Sequence, residues 1–259
     1  MSYTIEEKNL ERQHLLAEFL APLSARALKN ISLQKGARIL DLGCGLGDTS
    51  LMLFRRFPGT MVTGIDQDGN LIKTARTMNI AENAHMQFEQ GDALKLPFPA
   101  DSFDFVFTRY LLCHITDPIA VLEEMKRVCK PGGILFAQDP DLHFIQSYPE
   151  SWAYPQMKEF ANLLFADALL GRKLISYFNS LQLEKIEHDA EVILGTGNHP
   201  LKRFITLTAE AQRTAVIKNQ LLEEKKFDEL MLECRRLEQD PHAIILSHPT
   251  IAVWGRKPR

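Results

Sequence analysis

The chain has 259 residues, 45% of them hydrophobic, a net charge of −3 and four cysteines. That length and apolar share suffice for one α/β domain with additions, while the mild acidity leaves no sequence-wide basic footprint for nucleic acid. No apolar stretch approaches the roughly 20 residues of a membrane span, and the scattered cysteines form no C-x-x-C pair, so reduced thiols in a cytoplasmic protein are the expectation.

In chain order, residues 5–33 carry apolar side chains at helical spacing, among them Leu15, Leu16, Phe19, Leu20, Leu23 and Leu28. One or two helices are expected there, ahead of a sheet. The run from Ile39 then ends on Asp41 and opens into Gly43, Gly45 and Gly47. Alternate glycines after a buried strand let backbone approach a ligand, and the following helix aims free N–H groups into the same space. A dinucleotide fingerprint, G-x-G-x-x-G, would need a further glycine where this chain has Asp48, whose charge repels phosphate and whose carboxylate suits a helix cap. A nucleoside-type ligand without phosphates therefore fits better than a dinucleotide, although a turn with no ligand has the same local pattern.

A second run, Met61 to Ile65, ends on Asp66, about 20 residues beyond the glycines. An acid so placed accepts both hydroxyls of a ribose, or caps the helix that starts near Gly69. The run from His85 to Glu89 leads to Asp92, which suits the exocyclic amine of an adenine, or a plain turn. Strand and helix alternations continue to Pro140, with Pro131-Gly132-Gly133 as the turn before a fifth strand at Ile134 to Gln138. This is the pattern of a parallel sheet with crossover helices.

Beyond Asp139, residues 154–178 and 201–238 read as helical, Leu183 to Leu194 as a strand, and 242–259 as the final antiparallel strand. The two helical stretches are expected to cover the substrate side, because ligands collect beyond the carboxyl ends of parallel strands. Candidate proton acceptors cluster after the fourth and fifth strands: Tyr110, His114, Asp139, Asp141 and His143. Each also has an ordinary reading, as a packing histidine, a turn or a capping acid.

Together, DLGCGLGD, GID at Asp66, GDALKLPFPADSFDFVF, and LLCHITDP followed by EEMKRVCKPGGIL resemble the class I S-adenosylmethionine-dependent methyltransferases, in the small-molecule branch that includes quinone and sterol methyltransferases. The likeness covers roughly residues 35–141. It implies a Rossmann-like, doubly wound, seven-stranded α/β sheet with an antiparallel last strand, a helical lid over 1–34 and a methyltransferase domain over 35–259. It also implies that Asp41, Gly43 and Gly45 line the methionine end of S-adenosyl-L-methionine, Asp66 the ribose, and Asp92 with Ala93 the adenine. Gln67 would lie beside the adenine and Arg109 near the sulfonium. Cys44, at the turn, reads as a small packing residue among them.

The reaction expected is in-line methyl transfer to an O-, N- or C-nucleophile of a small molecule, with Asp141, His143 and His114 as the candidate bases. No metal, nucleic acid or membrane partner is expected, and monomer and homodimer both remain open. A non-catalytic S-adenosylmethionine-binding protein is the alternative of a different class. A methyltransferase acting on a protein or RNA is a further alternative, against which stand the missing NPPY-type motif and the missing basic surface.

Overall fold

A computed structural model describes residues 5–78, 85–142 and 144–259. Helix α1 (Ile5–Ala27) precedes β1 (Arg38–Leu42), α2 (Asp48–Arg56), β2 (Met61–Asp66), α3 (Gly69–Met78), β3 (Met86–Gln90) and β4 (Phe103–Arg109). A short 3-10 turn (Leu112–His114), α4 (Pro118–Val128), β5 (Cys129–Pro140), β6 (Gln146–Tyr148), α5 (Ala153–Leu164) and α6 (Leu170–Ser180) follow. The chain closes with β7 (Glu184–Glu191), β8 (Leu194–Gly195), α7 (Pro200–Ala211), α8 (Arg213–Lys218), α9 (Glu224–Gln239), β9 (Ile244–Leu246) and β10 (Thr250–Arg256).

Seven strands form one sheet in the order β3-β2-β1-β4-β5-β10-β7. The first five pair in parallel, and β10 runs antiparallel to both β5 and β7. Strand order reverses between β1 and β4, so the crevice at their carboxyl ends is where such a sheet receives a ligand. Both faces are covered: Leu40, Val106 and Leu135 lie in one apolar cluster, and Ile39, Phe105 and Phe136 in another. Residues alternating along a strand serve opposite faces, which is why these central strands are apolar almost throughout.

Several boundaries differ from the sequence reading. Strand β5 begins at Cys129, before the Pro-Gly-Gly turn, and its register against β4 shifts between Phe103 and Phe105. Residues 242–259 are two strands in two sheets: β9 pairs with β6 and β8 in a separate three-stranded sheet, and only β10 joins the main one. The predicted strand at 183–194 divides likewise into β7 and β8.

Residues 154–178 do not act as one covering unit. Helix α6 packs on β5 and β10, with Leu170, Leu174 and Phe178 in the sheet's own core. Its Gly171 lies so close to the strand that a Cβ there would come 2.8 Å from the Asp139 carbonyl oxygen. Helices α1, α5, α7 and α9 instead share a core outside the sheet, built around Phe19, Tyr154, Phe160, Phe204 and Phe227. Among the described residues no helix is long and apolar enough to cross a membrane.

Candidate functional site

At the carboxyl ends of β1 and β4 the chain encloses a cavity of about 420 Å³. The turn after β1 forms its floor. Gly43 and Cys44 both donate backbone N–H to the Ile65 carbonyl, at 2.8 and 3.0 Å, which folds the turn back onto β2. Gly43 has φ of 76° and faces Leu111, whose side chain would lie 3.1 Å from a Cβ, so a larger residue there would strain the backbone and press on Leu111. Gly47, with φ of 86°, is the N-cap of α2 and supplies no side chain. The expected cap, Asp48, instead pairs with His14 of α1 at 3.2 Å.

Asp66 closes the other side of the turn. Its Oδ2 accepts from Gly45 N at 3.0 Å and its Oδ1 from Asp68 N at 2.9 Å. The capping role weighed for Asp66 belongs to Asp68, whose Oδ1 accepts from Asn70 N at 2.8 Å at the start of α3. Asp66, Gln67, Asp92 and Ala93 line the cavity together with Gly43, Cys44, Gly45 and Arg109. Asp92 Oδ1 accepts from Leu94 N at 2.9 Å. Asp48, Asp66 and Asp92 on one rim make it electronegative, unsuited to a polyphosphate and suited to a cationic ligand.

Asp41 is the exception among the predicted cofactor residues, because it does not reach the cavity wall. It is buried beneath the turn, where Ser50 Oγ donates to it at 2.6 Å. Burial pushes its carboxyl up to about 6, against the pull of Ser50 and Arg109. Arg109 is fastened by hydrogen bonds to Thr49 Oγ1 at 2.7 Å and Ser24 Oγ at 3.2 Å, so α1 and α2 both hold its guanidinium beside Asp41. Burial, with Asp41 and Asp66 nearby, pushes the Cys44 thiol far above its ordinary range, and its sulfur packs near Gly64. It is a packing residue, not a nucleophile.

The three candidate bases separate. His143 lies outside the described residues. Asp141 is a correction: both its oxygens are taken by Arg172 of α6, through Nε and through Nη2 at 3.0 Å, and it is absent from the cavity wall. A carboxylate leaving a strand end toward α6 meets the guanidinium that compensates its burial, which the sequence pattern does not reveal. His114 does line the cavity, with its ring 4.7 Å from that of Phe165. Enclosure and then the charge of Arg12 hold its pKa below the ordinary imidazole value, so the ring is neutral at pH 7.

Asp139 is fully buried; its Oδ1 accepts from Cys113 N at 3.1 Å. His248 is among the cavity residues that sequence reasoning missed. His248 sits between β9 and β10 and lines the cavity, with Nε2 3.0 Å from the Tyr110 hydroxyl. That hydroxyl also lies 2.7 Å from Thr250 Oγ1, and Tyr110 has a positive φ of 55°. The only sequence signal was the Ser247-His248-Pro249 interruption of the last apolar run. Among the described residues no group of His, Cys, Asp or Glu is placed to hold a metal ion.

Comparison with known proteins bears on the same region. Residues 40–137 match a family described as a methyltransferase domain. The chain is similar to an uncharacterized methyltransferase of Schizosaccharomyces pombe, 33% identical over 151 residues that make up 54% of either chain. It is also similar to a demethylmenaquinone methyltransferase of Listeria monocytogenes, 39% identical over 114 residues, 43% of this chain and 48% of that one. The chain thus spans about half the length of the curated relatives it matches. The solved YcgJ protein of Bacillus subtilis shares the fold, with a TM-score of 0.62 at 20% identity over 93% of this chain and 99% of that one. A turn of three glycines with left-handed backbone, an acid rim at the strand ends and no phosphate-binding fingerprint fit S-adenosylmethionine. Residues 40–137 thus match the methyltransferase-domain family, and the seven-stranded sheet has the class I methyltransferase fold, whose cofactor is S-adenosylmethionine.

Proposed function

We propose that the protein transfers a methyl group from S-adenosylmethionine to a small-molecule acceptor. One observation carries this reading: the cavity that begins at the glycine turn and acid rim continues, without a partition, to an apolar wall of Ile145, Met157, Phe165 and Phe204. In this reading Asp66 receives the ribose hydroxyls, Asp92 with Ala93 and Gln67 surrounds the adenine, and Gly43 and Gly45 face the methionine end. Asp41 acts from behind the turn through Ser50 and Arg109. When bound, the cofactor supplies an electrophilic methyl group whose positive charge disperses as it is transferred.

The chain's own task is alignment and exclusion of water. Helix α1 covers the turn, with Gln13, Leu16 and Ala17 on the cavity wall, while α5 and α7 close the acceptor end. His114 is the neutral group positioned to accept a proton from an acceptor hydroxyl, amine or acidic carbon, since Asp141 is committed to Arg172. The walls admit a small molecule, and the net charge of −3 and the Listeria relative's acceptor class support that choice over a nucleic acid.

The test combines calorimetry with S-adenosylhomocysteine and a turnover screen of phenols, quinones, amines and carboxylates using methyl-labelled cofactor. Binding with labelled product is expected. Binding without turnover on any acceptor favours a non-catalytic cofactor-binding protein, and absence of both refutes the reading.

A further inference from the structure

Among the described residues, five side-chain atoms are buried without a hydrogen-bond partner, and three of them belong to cavity-lining residues: Arg12 Nε, Thr208 Oγ1 and Gln212 Oε1. A buried polar atom left unpaired costs about 1–3 kcal/mol, so native structures keep such atoms few and explicable. Three belong to residues of one cavity, which leaves that wall short of polar partners.

Helices α1 and α7 bring them together. Lys8 donates to Glu210 Oε1 at 2.7 Å, and Phe19 packs on Phe204 with ring centroids 5.0 Å apart, so the two helices run antiparallel. That pairing sets Arg12 level with Thr208, and Gln212 lies one turn farther along. The Thr208 hydroxyl is a donor, and the Gln212 amide offers a donor or an acceptor by turning over.

Arg12 differs from the other arginines near the site. Arg109 has Asp41, Arg172 has Asp141, and Arg203 has Glu11 and Glu238. For Arg12, burial lowers the pKa and no carboxylate acts to raise it. Its direction separates it from the cofactor end. Gln13 Oε1 lies 3.8 Å from where a Cβ on Gly45 would stand, and His14 pairs with Asp48, so those two residues face the glycine turn. Arg12 projects about 100° around the helix from Gln13. Its charge is felt at His114, whose ring packs on Phe165 at the apolar end.

We propose that Arg12, with Thr208 and Gln212, receives an anionic group of the methyl acceptor, a carboxylate or a phosphate, while the apolar wall holds the remainder. This rests on the methyl-transfer reading above. A largely desolvated cation that has no counter-charge among the described residues selects an anion, and Arg does so with two parallel N–H donors.

The test uses the protein saturated with S-adenosylhomocysteine, titrated with benzoate, para-hydroxybenzoate, hexanoate and phenyl phosphate beside benzamide, para-hydroxybenzamide, hexanamide and phenol. At least one anion is expected to bind about tenfold or more tighter than its neutral counterpart. Arg12→Gln and Arg12→Ala should abolish that preference while changing S-adenosylhomocysteine affinity by no more than about twofold, and Thr208→Val should reduce the preference by about threefold.

Equal binding of acids and neutral counterparts, a preference that survives in Arg12→Ala, or no anion binding at millimolar concentration overturns the proposal. So does a loss of S-adenosylhomocysteine affinity in Arg12→Ala with methylthioadenosine binding unchanged, which would give Arg12 to the cofactor's own carboxylate. If the native protein fails to bind S-adenosylhomocysteine at all, the methyl-transfer reading falls as well, and the two failures are thereby distinguished.

Discussion

Asp66 joins two roles in one carboxylate. It caps Gly45 N and Asp68 N, and it faces the cavity where a ribose would lie. Asp66→Ala is therefore expected to weaken S-adenosylhomocysteine binding by about 2–4 kcal/mol and also to lower stability by about 1–3 kcal/mol, since two backbone donors lose a charged acceptor. Calorimetry and urea titration measure the two effects separately, and an unchanged dissociation constant removes the ribose assignment. Asp92→Ala should cost less affinity, because its place suits a single amine.

Asp141→Asn should lower the melting temperature by loosening the Arg172 pair, yet leave turnover unchanged; a collapse of turnover with intact cofactor binding would restore it as a base. Asp139 gives a pH signature. Burial pushes its carboxyl up to about 7 from an ordinary 3.8, so between those values the folded chain keeps a proton that the unfolded chain releases. Its contribution to stability is full below about 4 and is lost as pH rises toward 7. Asp139→Asn keeps an acceptor for Cys113 N and lacks this loss, so its stability relative to the native protein should rise by as much as about 4 kcal/mol between pH 4 and 7. Urea titrations of both proteins across that range would show a constant difference if the carboxyl were not raised.

At the scale of elements, the site depends on helices α1 and α7, which lie outside the sheet. The edge-to-face contact of Phe19 with Phe204 is central to their packing. Phe19→Ala should destabilise by about 3–5 kcal/mol, and a double-mutant cycle with Phe204→Ala should show about 1 kcal/mol of coupling. Additive effects would mean that the two helices are held by other contacts. Legibility varied with element length. Strands β1 and β2 announced themselves because apolar runs buried on two faces end abruptly at glycine or acid. Strands β6 and β8 have three and two residues, too few to carry a period, and exist only because β9 lies between them. Residues 170–178 have the same helical periodicity whether they cover a cavity or a sheet, so their place was decided by packing against β5 and β10.

For the whole molecule, the acid rim and the glycine turn predict ligand-linked stability. S-adenosylhomocysteine at 100 times its dissociation constant should add about 3 kcal/mol to the unfolding free energy and raise the melting temperature by several degrees, whereas NAD should do neither. Equal stabilisation by NAD would refute the phosphate-exclusion argument that starts from Asp48. Stability and site are coupled here because α1 and α2 both fasten Arg109, through Ser24 and Thr49, at the floor of the cavity.

Sequence by itself determined the alternation of a parallel α/β sheet and most of the residues that line the glycine-turn end of the cavity, since short-range rules govern both. A glycine turn after a strand and an acid at the next strand end are local features, and their spacing carries them to one rim once the strands pair in parallel. The apolar end of the cavity was decided only by tertiary structure. Arg12 and Thr208 are 196 positions apart, and Tyr110 and His248 are 138 apart. Nothing local distinguishes His248, beside a cavity, from a histidine on any strand, or Asp141, bound to Arg172, from a free strand-end acid. Those distinctions arise when long-range packing fixes which side chains meet, where the cavity lies, and which buried charges find a partner.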